Sequence, residues 1–334
     1  MSSAQKIGCH ACGGEGEVLY LNEPDRVFGA PGAWTVVRCR NAECGLLWLT
    51  PSPTPDELRL AYAEYYTHGE QRRSRAYRVA AAAYSVVNDG LLAILGIPQE
   101  RSRLRRMYLG AGRGQKLLDV GCGDGKFVAK MAKMGWLSFG IDPDPKAVDA
   151  ARKYLGVNVT CVDLPELVDR HEKFDVITAS HVIEHVSDAV EFLKMCKKLL
   201  SQNGRIILLT PNASSFGHNL CGRYWRGLEV PRHLFVFTQN ALNACASRAG
   251  LAVASMSTTS ANAGGMIGVS RVIGKFGKLD MKRMSLVDRL NEWAIRPIIA
   301  VRAHIQRIVD PGSGEEIYAV FTAAKESVNG NSRN

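Results

Sequence analysis

Residues 117–127 read LLDVGCGDGKF. A short apolar run carries Asp119 near its end, and Gly121, Gly123 and Gly125 follow at alternate positions. The run is strand-length, and glycines spaced this closely let a ligand lie against bare backbone. Two mismatches narrow the ligand. A dinucleotide loop needs a third glycine where Lys126 stands, and a phosphate loop needs a hydroxyl where Phe127 stands. The tighter turn, with Cys122 between its first two glycines, suits a ligand without a pyrophosphate.

Outward from this loop, strand and helix alternate. Residues 116–120, 137–142, 157–163, 174–180 and 205–210 are short β-rich runs. Residues 124–135, 144–156 and 187–204 read as helices closed by Gly135, Gly156 and Gly204, with Ser187 as the expected N-cap of the third. A further helix over 238–250 is followed by a strand, and EEIYAVFTAAK (315–325) is the final strand. The alternation implies an α/β fold, a parallel sheet with helices on both faces. The expected organisation is a small module over 1–50, a helical cap over 51–105 and an α/β domain over 106–260. A basic helical insertion over 261–313, the last strand over 314–325 and a disordered tail over 326–334 complete it.

An acid closes each of three successive strands: Asp119, Asp142 and Asp163. At the C-terminal edge of an open sheet, such a cleft favours a cation. S-adenosylmethionine, with its sulfonium, ammonium and unphosphorylated ribose, meets that chemistry. The segments LLDVGCGDGKF, GIDPDPKAV, FDVITASHVIEHV and GRIILLTPN resemble class I S-adenosylmethionine-dependent methyltransferases over residues 106–260. The resemblance implies a Rossmann-like, seven-stranded, mostly parallel sheet whose last strand runs antiparallel. It implies that Asp119, Gly121, Gly123 and Gly125 line the methionine end, with Cys122 in the same loop. Asp142 would hold the ribose, Asp163 would lie by the adenine, and Ser180 and His181 would border the cofactor.

Nine cysteines in a chain expected to be cytoplasmic argue against a disulfide framework. Two pairs stand out: Cys9 and Cys12 in CHAC, Cys39 and Cys44 in CRNAEC, each pair followed by glycine. Two short-spaced pairs in a Gly-rich module read as a tetrahedral, structural Zn2+ site of the zinc-ribbon kind. Four free thiols is the alternative. The stretch CGLLWLTPSPTPDEL, with Tyr62, Tyr65 and Tyr66 beyond it, resembles the N-terminal module of methyltransferases of sugar and surface-polysaccharide biosynthesis.

Transfer of a methyl group to a neutral acceptor needs a base, and histidine suits neutral pH. SHVIEHV (180–186) places His181, Glu184 and His185 just past a strand, and WRGLEVPRHLFVFT (225–238) offers Glu229, Arg232 and His233. His185 and His233 are the expected bases, with Glu184 orienting a histidine or acting itself. Either histidine reads equally well as a structural hydrogen-bonding residue. A metal on Glu184 and His185 is the weaker reading, since adjacent residues chelate poorly.

The formal charge of +10 favours an anionic partner. No aromatic-basic platform for stacking bases is visible, which disfavours nucleic acid. The N-terminus lacks the apolar middle of a secretory signal, and no apolar run reaches the roughly 20 residues that span a bilayer. RPIIAVRAHIQRIV (296–309) reads as a helix with Pro297 in its first turn and an apolar stripe of Ile298, Val301, Ile305 and Ile308. That stripe is expected either to pack on the sheet or to touch the inner membrane face. The leading expectation is methylation of a sugar, nucleotide-sugar or glycan intermediate, a small-molecule or glycan acceptor that is anionic. The alternatives are small-molecule O-methylation of the ubiquinone-pathway type, RNA methylation, or a cofactor-binding scaffold without catalysis.

Overall fold

The computed structural model describes residues 8–67 and 75–324. The expected disordered tail and the side chains of Tyr65 and Tyr66 lie outside the described part. The chain opens with strands β1 (Gly16–Glu23), β2 (Trp34–Cys39) and β3 (Leu47–Thr50), paired antiparallel. Helices α1 (Pro55–Thr67), α2 (Arg75–Leu92) and α3 (Ile97–Leu104) follow. Then come β4 (Lys116–Val120), α4 (Lys126–Lys133), β5 (Leu137–Ile141), α5 (Pro145–Leu155), β6 (Val159–Thr160) and α6 (Leu164–Asp169). The second half of the α/β unit is β7 (Phe174–Ser180), α7 (Ala189–Lys198), β8 (Leu200–Pro211), α8 (Phe216–Cys221), β9 (Phe235–Val236), α9 (Gln239–Arg248) and β10 (Leu251–Thr259). Helices α10 (Ala263–Phe276) and α11 (Leu286–Val309) precede the last strand, β11 (Glu316–Ala323).

The large sheet has the order β10-β11-β8-β7-β4-β5-β6. Strands β8, β7, β4, β5 and β6 are parallel, and β11 runs antiparallel between β8 and β10. From β4 the chain moves first toward β5 and β6, then crosses to β7 and β8. The switch between β4 and β7 opens a crevice at the strands' C-terminal ends, where ligands of such sheets bind. Strand residues such as Leu117, Leu118, Ile177 and Ile206 are fully buried, as a sheet covered on both faces requires.

Among the described residues, 8–50 do not complete their own sheet. β9, from the segment after β8, supplies the fourth strand, with Leu47 opposite Val236 and Trp48 opposite Phe235. Trp34, Leu46 and Trp48 share one apolar cluster with Phe235, Phe237 and Leu242. The small module is therefore a fixed wall of the larger domain.

Two local expectations change. The helix expected over 187–204 is shorter: Asp188, not Ser187, caps it by accepting the Val190 and Glu191 amides. The chain is already strand at Leu200, because residues 200–204 extend β8 toward Phe174. Pro297 is not in a first turn either. Helix α11 begins eleven residues earlier at a Ser285–Asp288 capping box, and the proline sits inside it. Its buried face is Ile299, Ala300, Ala303 and His304, where small alanines admit α10. Of the expected stripe, Ile298, Ile305 and Ile308 are exposed, while Val301 is half-buried against Leu92, Ile97 and Ala300.

Candidate active site

After β4 the chain turns through Gly121, Gly123 and Gly125, at φ 71°, 50° and 70°. A Cβ at Gly121 would lie 2.6 Å from Val182, and one at Gly125 would lie 2.8 Å from Ala151. Gly123 meets no such obstacle and opens to the cavity. The amides of Gly121 and Cys122 donate to the Ile141 carbonyl at 2.8 and 3.0 Å, fixing the loop to the end of β5. Asp142 secures it: one carboxylate oxygen accepts the Gly123 amide at 2.8 Å, the other the Asp144 amide at 2.9 Å.

This loop borders a cavity of about 1130 Å³. Gly121, Gly123, Asp142, Ser180 and His181 line it, and so do His185 and His233. The other expected site residues stand back from it. Asp119 is buried beneath the loop and accepts the Thr178 hydroxyl at 2.7 Å. Burial lifts its carboxyl to about 7, against the Thr178 hydrogen bond and with Asp142 nearby. Cys122 belongs to an apolar cluster with Val128, Val148 and Ala151. Gly125 is a packing position. Asp163 is exposed and caps α6 through the Glu166 amide, because β6 stops at Thr160 and the chain has already turned away. Glu184 is fully buried behind the wall.

Glu184 organises the histidines. One oxygen lies 3.1 Å from His181 Nδ1, and the other accepts the Thr210 hydroxyl at 2.9 Å. His181 Nε2 faces Glu316 at 3.0 Å. Burial opposes a charge on His181, but the two carboxylates outweigh it and raise the imidazole to about 10. Glu184 is likewise held down at about 2, burial notwithstanding, chiefly by His181. The two carboxylates thus favour the protonated form of His181, which suits it to the wall better than to the role of base.

His185 is arranged differently. Its Nδ1 lies 2.9 Å from the Arg232 carbonyl and 3.0 Å from the Tyr62 hydroxyl. A carbonyl only accepts, so Nδ1 carries a hydrogen, which in the neutral ring leaves the lone pair on Nε2. His233 is buried, with Nδ1 2.8 Å from the Gly227 carbonyl and its ring 4.7 Å edge-to-face from His185. Burial lowers it to about 4 although Glu229 pulls the other way, so it is neutral at physiological pH. Ligand atoms of Glu184, His185 and His233 lie within 4.8 Å of one another and could hold a metal ion, although both Glu184 oxygens already accept.

The sequence did not disclose what positions His185. Arg232 is fully buried and bonded to Asp25 twice at 2.9 Å, to Glu229 at 3.1 Å and to the Ala61 carbonyl at 3.1 Å. Asp25 lies in the loop after β1, 207 positions away, and no local pattern couples the two. Charge around PRH was the sole signal.

The four N-terminal cysteines come together. Sγ atoms of Cys9 and Cys44 are 3.6 Å apart, those of Cys12 and Cys39 3.5 Å, and all four lie within 4.8 Å. Tetrahedral zinc–thiolate bonds of about 2.3 Å place sulfurs about 3.8 Å apart, so the cluster could hold zinc. The glycines after each pair, Gly13 and Gly45, take positive φ of 76° and 62°, closing each knuckle. A Cβ at Gly14 would lie 3.3 Å from Cys12 Sγ, so the cradle leaves no spare space.

The sheet order, the three-glycine turn and the acid at the end of β5 make up a Rossmann-like methyltransferase fold. The family model described as "Methyltransferase domain" matches residues 93–256. A ubiquinone biosynthesis O-methyltransferase of Bradyrhizobium diazoefficiens is 34% identical over 126 residues, 36% of this chain and 49% of that protein. One from Coxiella burnetii is 32% identical over 105 residues, 30% of this chain and 45% of that protein. The chain thus spans about half the length of the curated relatives it matches. Among solved structures, a SAM-dependent methyltransferase from Archaeoglobus fulgidus aligns at 19% identity and TM-score 0.44, over 67% of this chain and 93% of that one. Phosphoethanolamine N-methyltransferase 2 of Haemonchus contortus, in complex with S-adenosyl-L-methionine, aligns at 13% identity and TM-score 0.43, over 68% and 53%.

Proposed function

We propose that the chain transfers a methyl group from S-adenosylmethionine to a hydroxyl of a small-molecule acceptor, with His185 as the base. One observation carries the reading: the glycine loop, Asp142, His185 and His233 all border one cavity. At about 1130 Å³ it exceeds the roughly 300–1,000 Å³ typical of a single-ligand pocket, so donor and acceptor fit together. The cofactor supplies an electrophilic methyl on a sulfonium. The chain's residues align it, exclude water, and take the acceptor's proton at His185 Nε2. The curated relatives, named as ubiquinone biosynthesis O-methyltransferases, favour small-molecule O-methylation over the glycan reading expected from the sequence. A sugar or glycan acceptor is the second reading, favoured by the four-cysteine cluster and the module around it.

The cysteine cluster is proposed to hold one structural zinc. A peripheral contact with a lipid surface is proposed for the exposed Ile298, Ile305 and Ile308 face of α11, testable by liposome flotation. Among the described residues no helix is long and apolar enough to cross a membrane. The test of the main reading is incubation with methyl-labelled S-adenosylmethionine and an extract lacking the enzyme. Label recovered as O-methyl in small molecules supports it. Label in sugars favours the second reading, and label in RNA overturns both.

A further inference from the structure

The cavity carries charge that the proposed reaction does not use. Four arginines line the cavity besides the buried Arg232: Arg101, Arg105, Arg226 and Arg296. Arg101 is bonded to Asp89 at 2.9 Å and to the Ala261 carbonyl, and Arg226 is paired with Glu229. Among the described residues, Arg105 and Arg296 have no carboxylate within 4.0 Å.

Arg296 is the more informative of the two. Its Nε is buried and has no hydrogen-bond partner among the described residues. The Tyr84 hydroxyl, from α2 and lining the same cavity, is buried and unpartnered as well. Buried donors without acceptors are rare because each forfeits its hydration, on the order of 1–3 kcal/mol for a neutral group and more for a charged one. Arg106 Nε and Arg307 Nε are buried and unpartnered among the described residues as well, but neither residue lines the cavity; Arg296 and Tyr84 do, and their place there points to acceptor atoms brought by a ligand.

The surroundings hold both donors in place. Tyr84 stacks on Trp293 of α11 with ring centroids 5.1 Å apart. A Cβ at Gly268 of α10 would lie 2.9 Å from Arg296 Nε, so glycine there makes room for the guanidinium. Burial raises the Tyr84 hydroxyl's pKa, so it stays protonated and able to donate. A planar guanidinium and a phenol lining one cavity match an oxyanion, whose oxygens can accept from both.

We propose that Arg296 and Tyr84 form an oxyanion subsite, and that the acceptor carries a carboxylate or phosphate group docked there while its hydroxyl is methylated. The proposal rests on the methyltransferase reading above and narrows its substrate class.

The test uses full-length protein saturated with S-adenosylhomocysteine, so that the cofactor's own carboxylate is already seated. Inorganic pyrophosphate and benzoate are titrated in separately by calorimetry, which tells phosphate from carboxylate preference. Saturable binding of either, weakened about tenfold or more in Arg296→Met and a few-fold in Tyr84→Phe, supports the subsite. S-adenosylhomocysteine affinity should be unchanged in both variants. Absence of saturable binding for both anions, or an affinity that Arg296→Met leaves intact, overturns it. If Arg296→Met impairs folding, Arg296→Lys replaces it. This variant keeps the charge and loses the fork, and an unaltered anion affinity there also overturns the proposal. Failure of wild-type protein to bind S-adenosylhomocysteine would instead refute the methyltransferase reading.

Discussion

The Arg232 guanidinium grips Asp25 with two hydrogen bonds of 2.9 Å, and both side chains are wholly buried. The same arginine's carbonyl receives His185 Nδ1 at 2.9 Å. The N-terminal module is thereby connected to the proposed base through a single residue.

Breaking this pair should damage stability and turnover together. Asp25→Asn removes one of the two carboxylates on the buried Arg232 and leaves Glu229, which costs about 1.5–3 kcal/mol, the range for a hydrogen bond to a charged group. Denaturant unfolding should show that loss. The surviving folded enzyme should have lower kcat with little change in S-adenosylhomocysteine affinity. Unaltered unfolding would show that Asp25 is dispensable to the fold.

Replacing Asp142 by Ala should weaken S-adenosylhomocysteine binding by tenfold or more, on the order of 1.5–3 kcal/mol for a hydrogen bond to a charged group. Calorimetry reads this directly. The loop also loses its tie at Gly123, so Asp142→Asn, which keeps one acceptor, should bind better than Ala.

His185→Ala should reduce kcat by about 10²–10⁴-fold while cofactor binding persists. Tyr62→Phe, which removes the hydroxyl 3.0 Å from His185 Nδ1, should lower kcat more than it changes the cofactor affinity. A His185→Ala enzyme with full turnover would transfer the role to His233.

His181 has a pH signature. Its folded pKa, about 10, lies above the ordinary 6.5. The stability it contributes is therefore full below pH 6.5 and is lost as pH rises toward 10. His181→Gln should flatten that alkaline decline in Tm measured against pH. The ring's 40% exposure limits its size through screening. An unchanged alkaline slope would show that the two carboxylates do not hold a charged His181.

Elemental analysis of fresh protein should give about one zinc per chain. Chelation should lower Tm, since metal affinity contributes directly to folding of such a module. Cys39→Ser should behave like the chelated protein. Absence of zinc with full stability would leave four free thiols.

The glycine loop was legible because turn chemistry is local: three alternate glycines and two specific mismatches. The alternation of strand and helix set the sheet for the same reason. Helix ends were less legible where two caps competed, as with Ser187 and Asp188. The outward face of α11 could not be read, because the partner that decides which side is buried is the small-residue face of α10. Asp163 illustrates the same limit. An acid after a strand suits a ligand or a helix cap equally, and here the strand's early end makes it a cap. Asp25 and Glu316 escaped, and so did the role of Arg232, because the partners lie far apart along the chain.

The most direct test is transfer of labelled methyl from S-adenosylmethionine by wild-type protein and Asp142→Ala in the same extract. The account predicts label on small-molecule hydroxyl groups with wild type and its near-complete loss with the variant. Equal label with both proteins, or cofactor binding with no transfer to any fraction, would contradict it.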